Sequence, residues 1–288
     1  RVDRRQRQMC IRDSAYLLLF PGLLWLALFF AAPILSLVTT STKTPGAGIG
    51  EFDQTWRWAN YIDALKAAAP QLGRSFLYAT FATIIALAIA YPLAYGIAFK
   101  SGKYKNVFLV LVVAPFFTSF ILRTIAWKQI LGQEGPLFRV LLDLHIVQPT
   151  THLTASVFAV VAGLAYNFLP FMTLPLYSSL ERIDFRTLEA SGDLYANAWT
   201  TFRKVTFPLS MPGVVAGTLL TFIPATGDFV NAEILGNPGT TMIGNVINAQ
   251  FLNTLNYPLA ATLSFILMFI ILVIVSIYIR RSGTEDLV

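Results

Sequence analysis

Residues 189–209 read EASGDLYANAWTTFRKVTFPL. The stretch is polar, carries both charge signs and has helical spacing, yet it lies between segments apolar enough to cross a bilayer. Leu188, Tyr195, Trp199 and Phe202 fall on roughly one face of a helical wheel, with Asp193, Arg203 and Lys204 off it. Asp184 is placed to cap the helix start, because its carboxylate can accept from the orphan amides one turn in. Pro208 and Pro212 close the segment, since proline cannot continue a helix and biases the preceding residue away from helical angles. The expectation is one short amphipathic helical unit lying roughly parallel to the membrane. An apolar stripe of large aromatics must be covered by something. Lipid covers such a stripe in an interfacial helix, but basic residues are few here and Asp184, Glu189 and Asp193 are mixed among them. A solvated connector would not carry the stripe at all. A protein partner explains the stretch better than either.

The flanking segments set the class. Of the 288 residues, 56% are hydrophobic and only 12% charged, with mean hydropathy +0.63; a soluble domain carries about 25% charged residues. Runs of about 20 apolar residues are long enough to span a bilayer as helix. The chain therefore reads as an all-α polytopic membrane protein, with six spans expected at about 15–39, 73–99, 106–127, 154–177, 213–235 and 258–280. Residues 15–288 form one six-span domain with a long loop at about 178–210. Residues 1–14, RVDRRQRQMCIRDS, read as a non-native or disordered tail resembling translated adapter sequence, and are set aside. The single cysteine excludes an internal disulfide framework. The net charge of +6 is spread over loops rather than gathered in a basic stripe, which argues against nucleic acid.

Lysine and arginine give the orientation. With the tail set aside, nine basic residues lie on the side that holds both termini and the 178–210 loop, against seven on the other. Three of the nine are in the seven-residue loop KSGKYKN (100–106), and short loops weigh most in the positive-inside rule. Both termini are expected in the cytoplasm. The outer segments then include TPGAGIGEFDQTWRWANYIDALKAA from residue 44, a Gly-rich turn followed by an amphipathic stretch whose Trp56, Trp58 and Tyr61 suit a membrane interface.

With its side assigned, the opening stretch becomes recognisable. EASGDLYANAWTTFRKVTFPLSMPG resembles the EAA loop of ABC-transporter permeases, whose pattern is Glu-Ala-Ala, three residues, Gly, nine residues, a hydrophobic residue, any residue and Leu-Pro. Glu189, Ala190 and Ser191 match its start, and Val205, Phe207 and Pro208 match its end. The glycine position holds Tyr195, with Gly192 three residues early. Either the turn moves toward Gly192 or Ala196–Asn197, or Tyr195 is itself part of the docking surface. The resemblance extends from about residue 17 onward. APFFTSFILRTIAWKQILGQEG (114–135), YNFLPFMTLPLYSSLERID (166–184) and FIPATGDFVNAEILGNPGTTMIGNVI (222–247) look like the spermidine/putrescine branch of these permeases. It implies a six-span, type I importer (MetI-like) permease fold in the inner membrane. It also implies a loop that docks on cytoplasmic ATPase subunits. The partners implied are two ATP-binding subunits, a second permease subunit and an extracytoplasmic solute-binding protein, with membrane lipid around them.

Ionisable residues within spans are costly and mark pathways. Asp228 and Glu233 stand out in TGDFVNAEIL. Asp228 reads as a translocation or gating residue, or as a structural partner of Arg123 or of a helix N-terminus. Glu233 reads as a path residue or as a carboxylate in water at the outer interface. Phe116, Trp127 and Tyr166 are candidates to line a cation path, against the alternative of plain helix packing. Arg123 would repel a polyamine, so it fits gating or salt-bridging. His145 and His152 lie near no cluster with metal-ligand spacing, so no metal or cofactor is expected. The chain has no Gly-rich phosphate loop and cannot power transport itself. A stand-alone secondary transporter would call for strong intramembrane charge pairs or broken helices in paired halves. An enzyme would call for convergent nucleophile and base residues in the spans. The sequence offers neither. The function expected is therefore an importer permease, with polyamines as the substrate the resemblance implies; an opine, a phosphonate, a metal ion or another small cation is the alternative, since such solutes are also moved by relatives of this branch.

Overall fold

The computed structural model describes residues 18–46 and 51–281. The expected tail at 1–14 and part of the Gly-rich turn lie outside the described residues. In chain order the elements are α1 (Leu18–Ser41, with a π-helical turn at Ala27–Ala31), a hairpin of β1 (Lys43–Pro45) and β2 (Phe52–Gln54), and α2 (Ala59–Phe99). There follow α3 (Lys105–Val113), a 3-10 turn (Ala114–Phe117), α4 (Phe120–Leu131), α5 (Pro136–Asp143) and α6 (Val157–Glu181). The remainder comprises α7 (Phe185–Asp193), α8 (Ala198–Leu209), α9 (Met211–Gly227), α10 (Val230–Leu235), α11 (Ile243–Leu252) and α12 (Tyr257–Arg281). Four helices among the described residues are long and apolar enough to cross a membrane, or up to six if each bent pair counts as one span.

Three of the expected spans differ from straight rods. The second begins at Ala59 rather than residue 73 and runs 41 residues, through Pro70 and Pro92. At 1.5 Å per residue α2 is about 60 Å long, twice the hydrocarbon thickness of about 30 Å, so part of it projects beyond the lipid. The expected 106–127 span is broken: the segments on either side of residues 118–119 meet at 96°. Pro115 offers no amide to the preceding turn, and Thr118 and Ser119 are both extended, with ψ 153° and 135°. The expected 213–235 span ends at Gly227, where Asp228 turns extended before α10 begins.

The core is built on small residues. Ala79, Ala82, Ala86, Ala90 and Ala94 recur every three or four positions along α2 and are fully buried. They pack with Leu164 and Phe168 in one half of α6 and with Met172, Leu176 and Leu180 in the other. Hydrophobicity does not favour helix–helix contact over helix–lipid contact, so close approach across small side chains supplies the attraction. Lys105 and Glu181 form an ion pair that joins the start of α3 to the end of α6. At the other end of the bundle, Asn60 donates to the Ser41 carbonyl (3.0 Å) and the Lys43 carbonyl (2.9 Å), and Thr262 also donates to Ser41 (3.0 Å). The last carbonyl of α1, that of Ser41, is thereby satisfied from α2 and α12, as a helix end requires.

The alanine seam makes a prediction. Ala86→Leu forces new methylenes into a filled contact and should destabilise the bundle by about 1–3 kcal/mol, whereas Ala86→Gly should cost less. Thermal unfolding in detergent reads the difference, and an unchanged midpoint for the leucine variant would refute close packing there.

Candidate functional site

The sequence singled out two regions. The first, residues 184–209, is two helices rather than one. Asp184 caps α7, its Oδ1 accepting from the Arg186 amide at 3.0 Å. The helix then ends in a paired-bond motif: the Ala196 amide donates to the Ser191 carbonyl (3.1 Å) and the Tyr195 amide to the Gly192 carbonyl (2.9 Å). This is the Schellman arrangement, in which the residue between the two bonds takes left-handed angles and is usually glycine. Here that residue is Tyr195, at φ 57°. The turn has not moved to Gly192, which stays within α7, nor to Ala196–Asn197; the tyrosine itself occupies the glycine conformation. Asn197 then caps α8 by accepting from the Thr200 amide at 2.8 Å.

The break corrects the expectation of a single apolar stripe. Leu188, Tyr195, Trp199 and Phe202 do not share one helical face, because the helix ends between them and left-handed Tyr195 re-aims the chain before Ala198. Tyr195 is 98% exposed, Leu194 81% and Trp199 69%, so the turn presents its apolar side chains outward. Glu189, Ala190 and Gly192 are exposed beside them. Phe202 faces inward instead, stacked beneath Trp199 and edge-on to Tyr91 of α2 at 5.5 Å. Ser191 is buried and binds across the turn to the Thr201 hydroxyl at 2.9 Å, pinning α7 to α8. Val205 is half-buried and Pro208 exposed in the last turns of α8. The prolines bend the chain instead of ending it: α8 and α9 meet at 64° across Ser210, whose hydroxyl pairs with the Tyr91 hydroxyl at 2.7 Å.

The second region surrounds the break after α9. Asp228 is buried at 8% exposure, and its Oδ2 accepts from the Asn231 amide (2.8 Å) and side chain (3.1 Å). It thus caps the start of α10, one of the two structural alternatives read from the sequence. Gly244 of α11 sits directly against this break: a Cβ there would stand 2.5 Å from the Gly227 carbonyl oxygen, so no larger residue fits. Glu233 is exposed and accepts from Asn245 at 3.0 Å. Arg123, also 8% exposed, makes no ion pair with Asp228; its guanidinium lies 5.5 Å from the Phe116 ring centre and 5.7 Å from that of Phe120. Trp127 meets Tyr166 edge-on at 5.3 Å, and Phe116 meets Phe171 at 5.2 Å. Among the described residues no group of three metal-ligating side chains converges.

Asn167, Asn231, Asn245 and Tyr91 were not singled out from the sequence. An amide within the apolar run AYNFLPF was a legible signal for Asn167, since polar side chains at membrane depth are costly. Nothing local marks Tyr91, whose partner is 119 residues away.

Residues 76–282 match the family described as binding-protein-dependent transport system inner membrane component. Over 260 residues the chain is 37% identical to the spermidine/putrescine transport system permease protein PotB of Haemophilus influenzae, covering 90% of each chain. It is 34% identical to PotB of Escherichia coli K12, covering 90% of this chain and 94% of the relative. By structure it superposes on a chain of a bacterial alginate ABC transporter, solved in complex with an alginate pentasaccharide-bound periplasmic protein, with TM-score 0.76. That likeness covers 98% of both chains at 14% identity, and so speaks to the fold alone. The chain belongs to the binding-protein-dependent transport permeases of the inner membrane, and its bundle is the all-α, MetI-like fold of ABC importers.

Proposed function

We propose that this chain is the transmembrane subunit of an ATP-driven importer of polyamines, coupled to two ATPase subunits through the α7–α8 turn. The observation that carries this reading is an outward-facing apolar turn on a rigid mount. Leu194, Tyr195 and Trp199 are exposed, while Ser191–Thr201 and Tyr91–Ser210 hold the segment beneath them. Exposed aromatic side chains on fixed backbone make strong anchors for a partner, because little conformational entropy is lost on docking. A loop of this kind transmits force only if the partner binds it differently in its two nucleotide states.

The rest of the assembly follows from the same reading. Both termini and the turn face the cytoplasm, in line with the basic residues around the short 100–106 loop. A second permease subunit covers membrane-embedded apolar faces that this chain leaves open, and a loaded solute-binding protein docks on the opposite side. Spermidine and putrescine are the substrates named for the PotB relatives. Asp228 fits a polycation as a path residue, because this buried carboxylate forms no ion pair among the described residues. Phe116, Trp127 and Tyr166 contribute aromatic faces, and Arg123 and Glu233 flank the path as gating and entry charges.

Uptake of radiolabelled spermidine into proteoliposomes holding the full complex tests the assignment. ATP-dependent uptake competed by putrescine is expected; transport of an opine or phosphonate with no polyamine uptake would replace the substrate. Glu189→Ala should reduce uptake by about tenfold or more while leaving membrane insertion intact, and normal transport would sink the coupling role of the loop. Tyr195→Gly separates the turn from the ring. Releasing a left-handed tyrosine should stabilise the turn by about 1 kcal/mol, seen as slower hydrogen exchange at residues 192–197. The same variant should bind the ATPase subunits more weakly, and unchanged affinity would remove Tyr195 from the docking surface.

A further inference from the structure

Asp228 is the end of a longer chain of hydrogen bonds. Asn231, in the first turn of α10 and 0% exposed, donates to the Asp228 carboxylate from both its main chain and its side chain. The Asn231 Oδ1 accepts from Asn167 Nδ2 on α6 at 3.0 Å. Asn167, 1% exposed, also donates to Thr124 Oγ1 of α4 at 3.1 Å. The Thr124 hydroxyl in turn donates to the Phe120 carbonyl at 3.0 Å, beside the break between α3 and α4.

The direction of this chain is dictated by the carboxylate. An ionised carboxylate only accepts, so Asn231 presents its NH2 to Asp228 and its carbonyl oxygen to Asn167. Asn167 must then present its own NH2, and the Thr124 hydroxyl accepts from it and donates in turn to the Phe120 carbonyl. No amide can flip without setting oxygen against oxygen. The cost is visible: Asn167 Oδ1 is buried with no partner. Helix packing alone would not select this arrangement, because a leucine of similar volume would fill the space between α4, α6 and α10 without an orphaned carbonyl. The α6 backbone also makes room for the chain. A Cβ on Gly163, one turn before Asn167, would stand 2.8 Å from Asn231 Oδ1 and 2.5 Å from Leu235 Cδ1.

We infer that Asn167 is a positioning residue for transport: through Asn231 it holds the Asp228 carboxylate toward a substrate ammonium group, and through Thr124 it ties the break after α9 to the break before α4. The inference rests on the reading of Asp228 as a path residue. Its consequence is that the carboxylate's geometry depends on a residue that itself touches no substrate.

The test uses the complete complex in proteoliposomes, with spermidine-loaded binding protein supplied on the outer side. Asp228→Asn is expected to lower the maximal uptake rate about tenfold while the half-saturating concentration of binding protein stays the same. Asn167→Leu, which keeps the volume and removes both donors, should lower the maximal rate about three- to tenfold, the range for a lost buried hydrogen bond. Thr124→Val should have a smaller effect of the same kind. In the Asp228→Asn background, Asn167→Leu should cause no further fall, because no carboxylate remains to be positioned. Equal falls in both backgrounds would reduce Asn167 to a packing residue and overturn the inference, as would a wild-type rate for Asn167→Leu. A wild-type rate for Asp228→Asn would instead overturn the path reading, and the inference with it. Should Asn167→Leu fail to co-purify with its partner subunits, Thr124→Val in the two backgrounds decides by the same criterion.

Discussion

Wherever a helix stops inside a bilayer, the amides and carbonyls it frees must find partners within the protein, because lipid offers none. This chain stops repeatedly, and other elements supply the partners. Asp228 takes an amide at the start of α10. Ser75, fully buried on α2, accepts from the Ile243 amide at the start of α11, while Asn245 accepts from Met242. Asn60 and Thr262 satisfy the end of α1. Several of the buried polar residues of the bundle therefore serve its breaks, Ser75, Asp228, Asn231 and Asn245 among them.

The α7–α8 turn answers the same demand by different means. Its carbonyls are satisfied by main-chain bonds that require a left-handed residue, and the chain supplies a tyrosine where glycine would be free of strain. About 1–2 kcal/mol is stored there, and the ring that causes it projects outward. Ser191, a departure from alanine in the loop pattern, adds a hydroxyl bridge to Thr201 that an alanine could not form. Both substitutions at the loop thus have a physical role: one stiffens the turn, and the other enlarges the face it presents.

The helix caps and apolar runs were legible because they are local. Asp184 could be assigned as a cap from its position alone, and the spans from their length and hydropathy. The breaks were not, because an apolar window looks the same whether the chain runs straight or bends by 96° at Thr118–Ser119. Pro115 and Gly227 were present in the sequence, but membrane helices also tolerate such residues without breaking, as α2 does at Pro70 and Pro92. The helical wheel that grouped Leu188 with Tyr195 assumed an unbroken helix and failed for that reason. The link from Asn167 to Asn231 spans 64 residues, and no periodicity within either segment points to the other.

The 41-residue α2 touches the root of the α7–α8 segment through Tyr91, the start of α11 through Ser75 and the hairpin through Asn60. These three contacts are spread along one continuous helix rather than across a series of joints. A displacement of α2 would therefore be felt at the loop root and at the hairpin alike. The hairpin, the start of α11 and the loop root are thus tied to one another through a single element, with Pro70 and Pro92 as the positions where its main-chain bonding is interrupted.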